Sequence, residues 1–178
     1  MPWGSRKQAD KPGARPLTPE ERRRKTFERA AKLLAAKPRS VAELRERLLQ
    51  GRHATKTVVE EVIARLREYG YLDDERFAVS FASSKVRQRP TGRRRLERDL
   101  SLKKLDRAVV EEALNAVYAE TPEEELIDRA IEKRLRLRGR PKTREEAKSL
   151  FDHLLRQGFP FDLVSEKVRA ASKAALDE

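Results

Sequence analysis

The chain has 178 residues, 42 of them basic and 30 acidic, for a formal net charge of +12. Apolar residues make up 38% and charged residues 40%, so buried stripes must be narrow and solvated faces wide. With no cysteine, disulfides and cysteine-ligated zinc are excluded, and the basic excess points to a polyanionic partner or an acidic protein surface.

In chain order, residues 1–24 hold Pro2, Pro12, Pro16 and Pro19, seven bases and few apolar residues, which predicts a disordered basic tail. Trp3 stands there alone. Helical periodicity begins near Arg24, and the first helix places Phe27, Ala30, Ala31 and Leu34 on one face before Pro38. Ser40 with Glu43 reads as a capping box opening a helix through Leu44, Leu48 and Leu49 to Gly51. Thr57 with Glu60 reads as a second box, opening a helix through Val58, Val59, Val62, Ile63 and Leu66 that Gly70 closes.

Asp73 is a good N-cap for the next helix, in which Phe77 and Phe81 are expected to point inward. Pro90 and Gly92 break the chain. A helix with Leu96 and Leu100 follows, and then one from about Asp106 to Ala119. Thr121-Pro122-Glu123-Glu124 reads as cap, first-turn proline and box. It opens a helix with Leu126, Ile127, Ala130 and Ile131 that runs out near Gly139. Thr143 with Glu146 caps a helix carrying Leu150, Phe151, Leu154 and Leu155 to Gly158, and Pro160 starts the last one.

These helices repeat. Val58-Val59-Glu60-Glu61 returns as Val109-Val110-Glu111-Glu112 and, worn, as Leu163-Val164-Ser165-Glu166. Upstream of each copy lies a leucine pair four apart: Leu44/Leu48, Leu96/Leu100 and Leu150/Leu154. A period of about fifty residues predicts stacked copies of one small helical unit, too small to be secure alone. The expected fold is all-α: a tail over 1–24, then three-helix repeats over 25–70, 71–119 and 120–178.

The positive charge is concentrated. Residues 85–107 contain Lys85, Arg87, Arg89, Arg93, Arg94, Arg95, Arg98, Lys103, Lys104 and Arg107 against three acids. Residues 133–144 contain Lys133, Arg134, Arg136, Arg138, Arg140, Lys142 and Arg144 with no acid. Both segments span the end of the first helix and the start of the second helix of their unit. In a regular stack they face one side, as a basic stripe for phosphate. The blander alternative is a solvated face, which seven bases without one acid argue against. Aromatics do not interleave with the clusters, so stacking on splayed bases is not the expected mode.

No Gly-rich phosphate loop, metal-ligand spacing or nucleophile–base constellation is present, so no catalysis, metal or cofactor is expected. His153, in a leucine-rich helix, reads as an ordinary half-buried histidine. With neither a signal peptide nor an apolar run near twenty residues, the expectation is a soluble, cytoplasmic monomer.

The run Pro38-Arg39-Ser40…Glu43-Leu44, the stretch Tyr71-Leu72-Asp73-Asp74-Glu75-Arg76-Phe77-Ala78, Gly92 with Arg95-Leu96, and the two Val-Val-Glu-Glu segments together resemble the RecX family over about residues 25–172. Residues 71–78 are the specific part. The resemblance implies three tandem three-helix repeats in an elongated, curved arrangement. It implies binding in the groove of the RecA–DNA filament, inhibition of recombinase, ATPase and coprotease activities, and weaker, salt-dependent affinity for single- and double-stranded DNA. On that reading Lys85, Arg87, Arg89, Arg93, Arg94, Arg95, Arg98, Lys103, Lys104, Arg134, Arg136, Arg138, Arg140 and Lys142 meet the filament or its DNA. Where the family often has Lys-Gly after the second helix of the middle unit, this chain has Lys103-Lys104. Lys167 replaces the small apolar residue found at Val62 and Ala113. Two other readings stay open: a helix-turn-helix transcription factor, whose recognition helix should be less acidic than Glu60-Glu61 and Glu111-Glu112 allow, and a general single-strand binder, which should carry stacking aromatics.

Overall fold

A computed structural model describes residues 15–173. Among the described residues the ordered elements are nine α-helices: α1 (Pro19–Ala36), α2 (Val41–Leu49), α3 (Lys56–Glu68), α4 (Asp74–Gln88), α5 (Arg93–Ser101), α6 (Arg107–Glu120), α7 (Glu123–Arg138), α8 (Arg144–Arg156) and α9 (Phe161–Lys173). The helix pairs in close contact all lie within the triplets α1–α3, α4–α6 and α7–α9. This is the expected array of three-helix units. The repeat-equivalent leucines occupy equivalent interior places: Leu44, Leu96 and Leu150 are all buried, as are Leu48, Leu100 and Leu154.

Helix starts follow local chemistry, with three corrections. Ser40–Glu43 and Thr143–Glu146 form the expected reciprocal boxes, and Asp73 accepts from the Arg76 amide. The first helix, however, starts at Pro19, because Thr18 and Glu21 form a capping box there. Residues 19–24 of the expected tail are therefore helical, while residues 1–14, with Trp3, lie outside the described residues. Thr55, not Thr57, caps α3, which leaves Glu60 to take a two-pronged hydrogen bond from Arg45 at 2.7 and 3.0 Å. Pro122, not Thr121, sits at the N-cap of α7 without a side-chain bond. Glu123 is instead recruited across to α5.

The apolar interior falls into two bodies. One holds Ala30, Val41, Leu44, Leu48, the α3 valines, Ile63, Leu66 and Leu72. The other is continuous from α4 through α9 and includes Leu96, Leu114, Leu126, Leu154, Phe159 and Val164. Thus the first triplet keeps its own core, and the second and third share one. On α1, Thr26 and Ala30 face inward while the expected Ala31 is exposed, since the helix meets α3 along a stripe shifted from the one predicted.

The two connections between triplets differ in kind. Between the first and second, Ser40 Oγ donates to the Lys103 carbonyl at 2.6 Å, and the Val41 amide donates to Asp74 at 2.8 Å. Lys103 pairs with Glu43 at 2.9 Å and Lys104 pairs with Glu46. Between the second and third, the Gly92 amide donates to the Gln157 carbonyl at 2.9 Å, and two glycines press backbone on backbone. A Cβ on Gly92 would lie 2.3 Å from the Gly158 carbonyl carbon and the Phe159 nitrogen. Gly158 itself has φ +92°, and a Cβ there would strike Arg95.

Candidate nucleic-acid interface

The first basic segment begins on the last turns of α4 with Lys85, Arg87 and Arg89, continues on α5 with Arg93, Arg94, Arg95 and Arg98, and ends in the loop at Lys103 and Lys104. The second lies on the last turns of α7 with Lys133, Arg134, Arg136 and Arg138, and in the loop with Arg140 and Lys142. The bases in the last turns of α4 and α7 complement those helix dipoles, whereas Arg93, Arg94 and Arg95 stand in the first turn of α5, against its dipole.

The members divide by what they already touch. Arg87, Arg89, Arg94, Arg98, Arg136 and Arg138 are exposed and carry no ion pair among the described residues. Arg134 makes only a long 3.4 Å contact to Ser149 Oγ, and the Lys142 side chain stands in solvent beside α8. Lys85 pairs with Asp99 at 3.4 Å. Lys103 and Lys104 are spent on the first junction, as described above. Burial alone would raise the Glu43 carboxyl; the hydrogen bond and charge of Lys103 outweigh it and hold that carboxyl below its usual range.

Arg93 and Arg95 are half-buried and hold the second junction. The Arg93 amide donates to Glu123 at 2.6 Å, its guanidinium donates to Asn115 at 2.6 Å, and that group lies over the Tyr118 ring. Arg95 donates to the Arg156 carbonyl at 3.3 Å. Burial raises the Glu123 carboxyl above the usual carboxylate range, partly offset by the Arg93 amide and charge. Burial and the adjacent Glu123 likewise raise the Tyr118 phenol, whose hydroxyl donates to the Thr91 carbonyl at 2.8 Å.

The two basic segments meet at one point, through Arg89. Arg89, from the end of α4, shares one recess with Lys133 and Arg134 of α7 and His153 of α8. His153 has its proton affinity lowered, first by burial and then by Arg134, Arg156, Arg89 and Arg138. The charges of four arginines, from the end of α4, from α7 and from α8, thus act on one imidazole.

A second surface was not expected. Phe77 and Phe81, predicted to point inward, are only half-buried; they stack at 5.9 Å and floor a groove between the first and second triplets. Small Ala78 and Ala82 take the core positions, so α4 packs closely on α6 and its phenylalanines lie to the side. The groove has a volume of about 870 Å³, with Leu34 and Tyr71 as further apolar lining and Arg39, Arg76 and Arg87 among its cations. Lys85 and Lys103 sit over Phe81 at 5.3 and 5.4 Å, so its faces are taken. Among the described residues no His, Asp or Glu group could hold a metal, and no helix is long and apolar enough to cross a membrane.

Comparison with known proteins agrees with the resemblance. Residues 73–114 match the family model described as RecX, second three-helix domain. Regulatory protein RecX of Chlorobaculum tepidum is 30% identical over 151 residues, which cover 84% of this chain and 90% of that protein. Its counterpart in Bacillus subtilis is 32% identical over 142 residues, 80% of this chain and 53% of that one; the chain spans about half the length of the Bacillus relatives it matches. The crystal structure of RecX from Lactobacillus salivarius superimposes with a TM-score of 0.74 at 19% identity, over 87% of this chain and 99% of that one, which establishes the shared fold. The Chlorobaculum match extends over most of both chains, and the chain therefore belongs to the RecX family of regulatory proteins.

Proposed function

We propose that this chain is a non-catalytic monomer that binds the RecA–DNA filament and restrains its recombinase, ATPase and coprotease activities in recombination and DNA repair. The triplets α1–α3, α4–α6 and α7–α9 lie along successive filament subunits, and the body blocks the groove. The observation that carries the reading is the convergence of two separate basic segments at the second junction, in a chain of this family. Arg87, Arg89, Arg94, Arg98, Arg134, Arg136 and Arg138 meet DNA phosphate, and the groove floored by Phe77 and Phe81 meets protein. Lys85 and Lys103 already lie over the Phe81 ring, which leaves it poorly placed to stack on a base.

The test compares pull-down by a preassembled RecA filament with pull-down by naked DNA. Reversing Arg94 and Arg98 to glutamate leaves Arg93 and Arg95 to hold the junction. It should weaken naked-DNA binding more than filament binding. It should also flatten the salt dependence, by about 0.9 log unit per log salt for each duplex phosphate no longer neutralised. Equal, small losses on both ligands would mark Arg94 and Arg98 as a solvated face. Failure of the filament to retain the wild-type chain would end the reading.

A further inference from the structure

The recess around His153 has features that a generic basic face lacks. Its volume is about 260 Å³, ample for one phosphate group, and Arg89, Lys133, Arg134 and His153 line it with no carboxylate among the lining residues. Asp152, the adjacent acid on α8, does not line it. The ends of α4 and α7 thus bring three cations to one recess without a counter-charge, an arrangement that an anion would complete. Beneath them lies Gln157, 6% exposed. Its amide nitrogen is 2.7 Å from His153 Nε2, and its Oε1 is buried without a hydrogen-bond partner. A neutral imidazole with its lone pair on Nε2 accepts from that amide nitrogen. An imidazolium needs an acceptor there, which the same amide supplies once rotated, by turning Oε1 onto Nε2–H. One side chain thus supports both protonation states of the histidine.

We propose that Arg89, Lys133, Arg134 and His153 form a discrete phosphate-binding site at the junction of the second and third triplets, in which His153 takes up a proton as the phosphate enters. The site rests on the reading of the basic face as phosphate-facing, and narrows it to one anchoring group. The charges that act on the imidazole are Arg89 from α4, Arg134 and Arg138 from α7, and Arg156 from its own helix. A phosphate oxyanion offsets that field and favours the charged ring. Affinity should therefore rise as pH falls through the histidine range. The ligand is either the phosphodiester of a nucleic-acid strand or a free phosphate group.

The experiment follows the ring signals of His153 and His53 by NMR across pH, with the full chain alone, with inorganic phosphate, and with a short single-stranded oligodeoxynucleotide. The expected result is that the oligonucleotide moves the His153 signals and raises their titration midpoint, leaving His53 in place. A response to inorganic phosphate as strong as to the oligonucleotide assigns the site to free phosphate. Arg89→Gln and Arg134→Gln, both at the solvent side of the recess, should each weaken oligonucleotide binding about tenfold. His153→Gln should bind equally at about pH 5.5 and about pH 8. Unchanged helical circular dichroism shows that each variant is folded, and the wild-type titration needs no variant. If the oligonucleotide binds while His153 stays silent and both arginine variants match wild type, the site is overturned and the basic face stands. If neither ligand moves His153 and no oligonucleotide binds, both readings fall.

Discussion

The two junctions of this molecule solve one problem in opposite ways. At the first, charged and polar side chains reach across: Lys103 to Glu43, Lys104 to Glu46, Ser40 to a backbone carbonyl, with separate cores on either side. At the second, two glycines let backbones touch, and one core runs through both triplets. A contact made by flexible, partly exposed side chains can re-form over a range of geometries. A contact made by two backbones at van der Waals distance has one geometry. The difference predicts a rigid body of α4–α9 with α1–α3 as an adjustable partner.

The largest expected effect is at the second junction. Gly92→Ala places a methyl 2.3 Å from backbone atoms that no rotamer change can move. The cost should be about 4 kcal/mol or more, read by urea unfolding of the full chain. The corresponding change at the first junction, Ser40→Ala, removes a cap and one cross-junction hydrogen bond, and should cost about 1–2 kcal/mol. Comparable losses for the two would dissolve the distinction.

Next come the cores. Leu44 and Leu96 are equivalent in the repeat and both 0% exposed, so each change to alanine should cost about 2–5 kcal/mol. Their spread should differ. Leu96→Ala should lower amide-exchange protection from α4 through α9, and Leu44→Ala only from α1 to Leu72. Uniform loss of protection in both variants would mean that all three triplets unfold as one.

The helical class, the repeat and the interior leucines are legible in the sequence because a 3.6-residue apolar stripe and a cap are local signals. What fails is also local in cause. Thr121-Pro122-Glu123 has the right letters for a capping box, but Glu123 finds a better donor in the distant Arg93 amide. Thr57 and Glu60 yield to Thr55 and to Arg45 for the same reason. Hydrophobicity alone points Phe77 and Phe81 inward, whereas the neighbouring alanines allow the tighter helix approach. Phe159, buried in the shared core, lies between α8 and α9 and carries no periodic signal. For the site, the two basic runs are plain in the sequence, but their meeting at His153 depends on where the second junction sets the end of α4 against α7 and α8. Which lysines are spent on ion pairs depends on the first junction. A Gly-Phe after a helix does hint at a close approach, and that is the one available clue to Gly158.

The smallest expected effect separates the junctions by sign. The Glu43 carboxyl is held below its usual value, so its contribution is complete above the unfolded value of about 4.5 and is lost as pH falls through the lower folded value. The Glu123 carboxyl is raised, so its contribution is complete below about 4.5 and is lost as pH rises through the higher folded value. Acidifying from neutrality should therefore first tighten the second junction, as the half-buried Glu123 gains its proton while still accepting from the Arg93 amide through its carbonyl oxygen. The first junction should hold until pH falls below about 4.5, when Glu43 is neutralised and Lys103 loses its partner. Amide exchange, corrected for intrinsic rate, should show α5 gaining protection over the upper window and α2 losing it over the lower one. Glu123→Gln should remove the first response and Glu43→Gln the second, each leaving the other intact because the two sites share no partner. A parallel decline at α2 and α5 would mean that the carboxylates act through net charge, and that the junctions do not titrate independently.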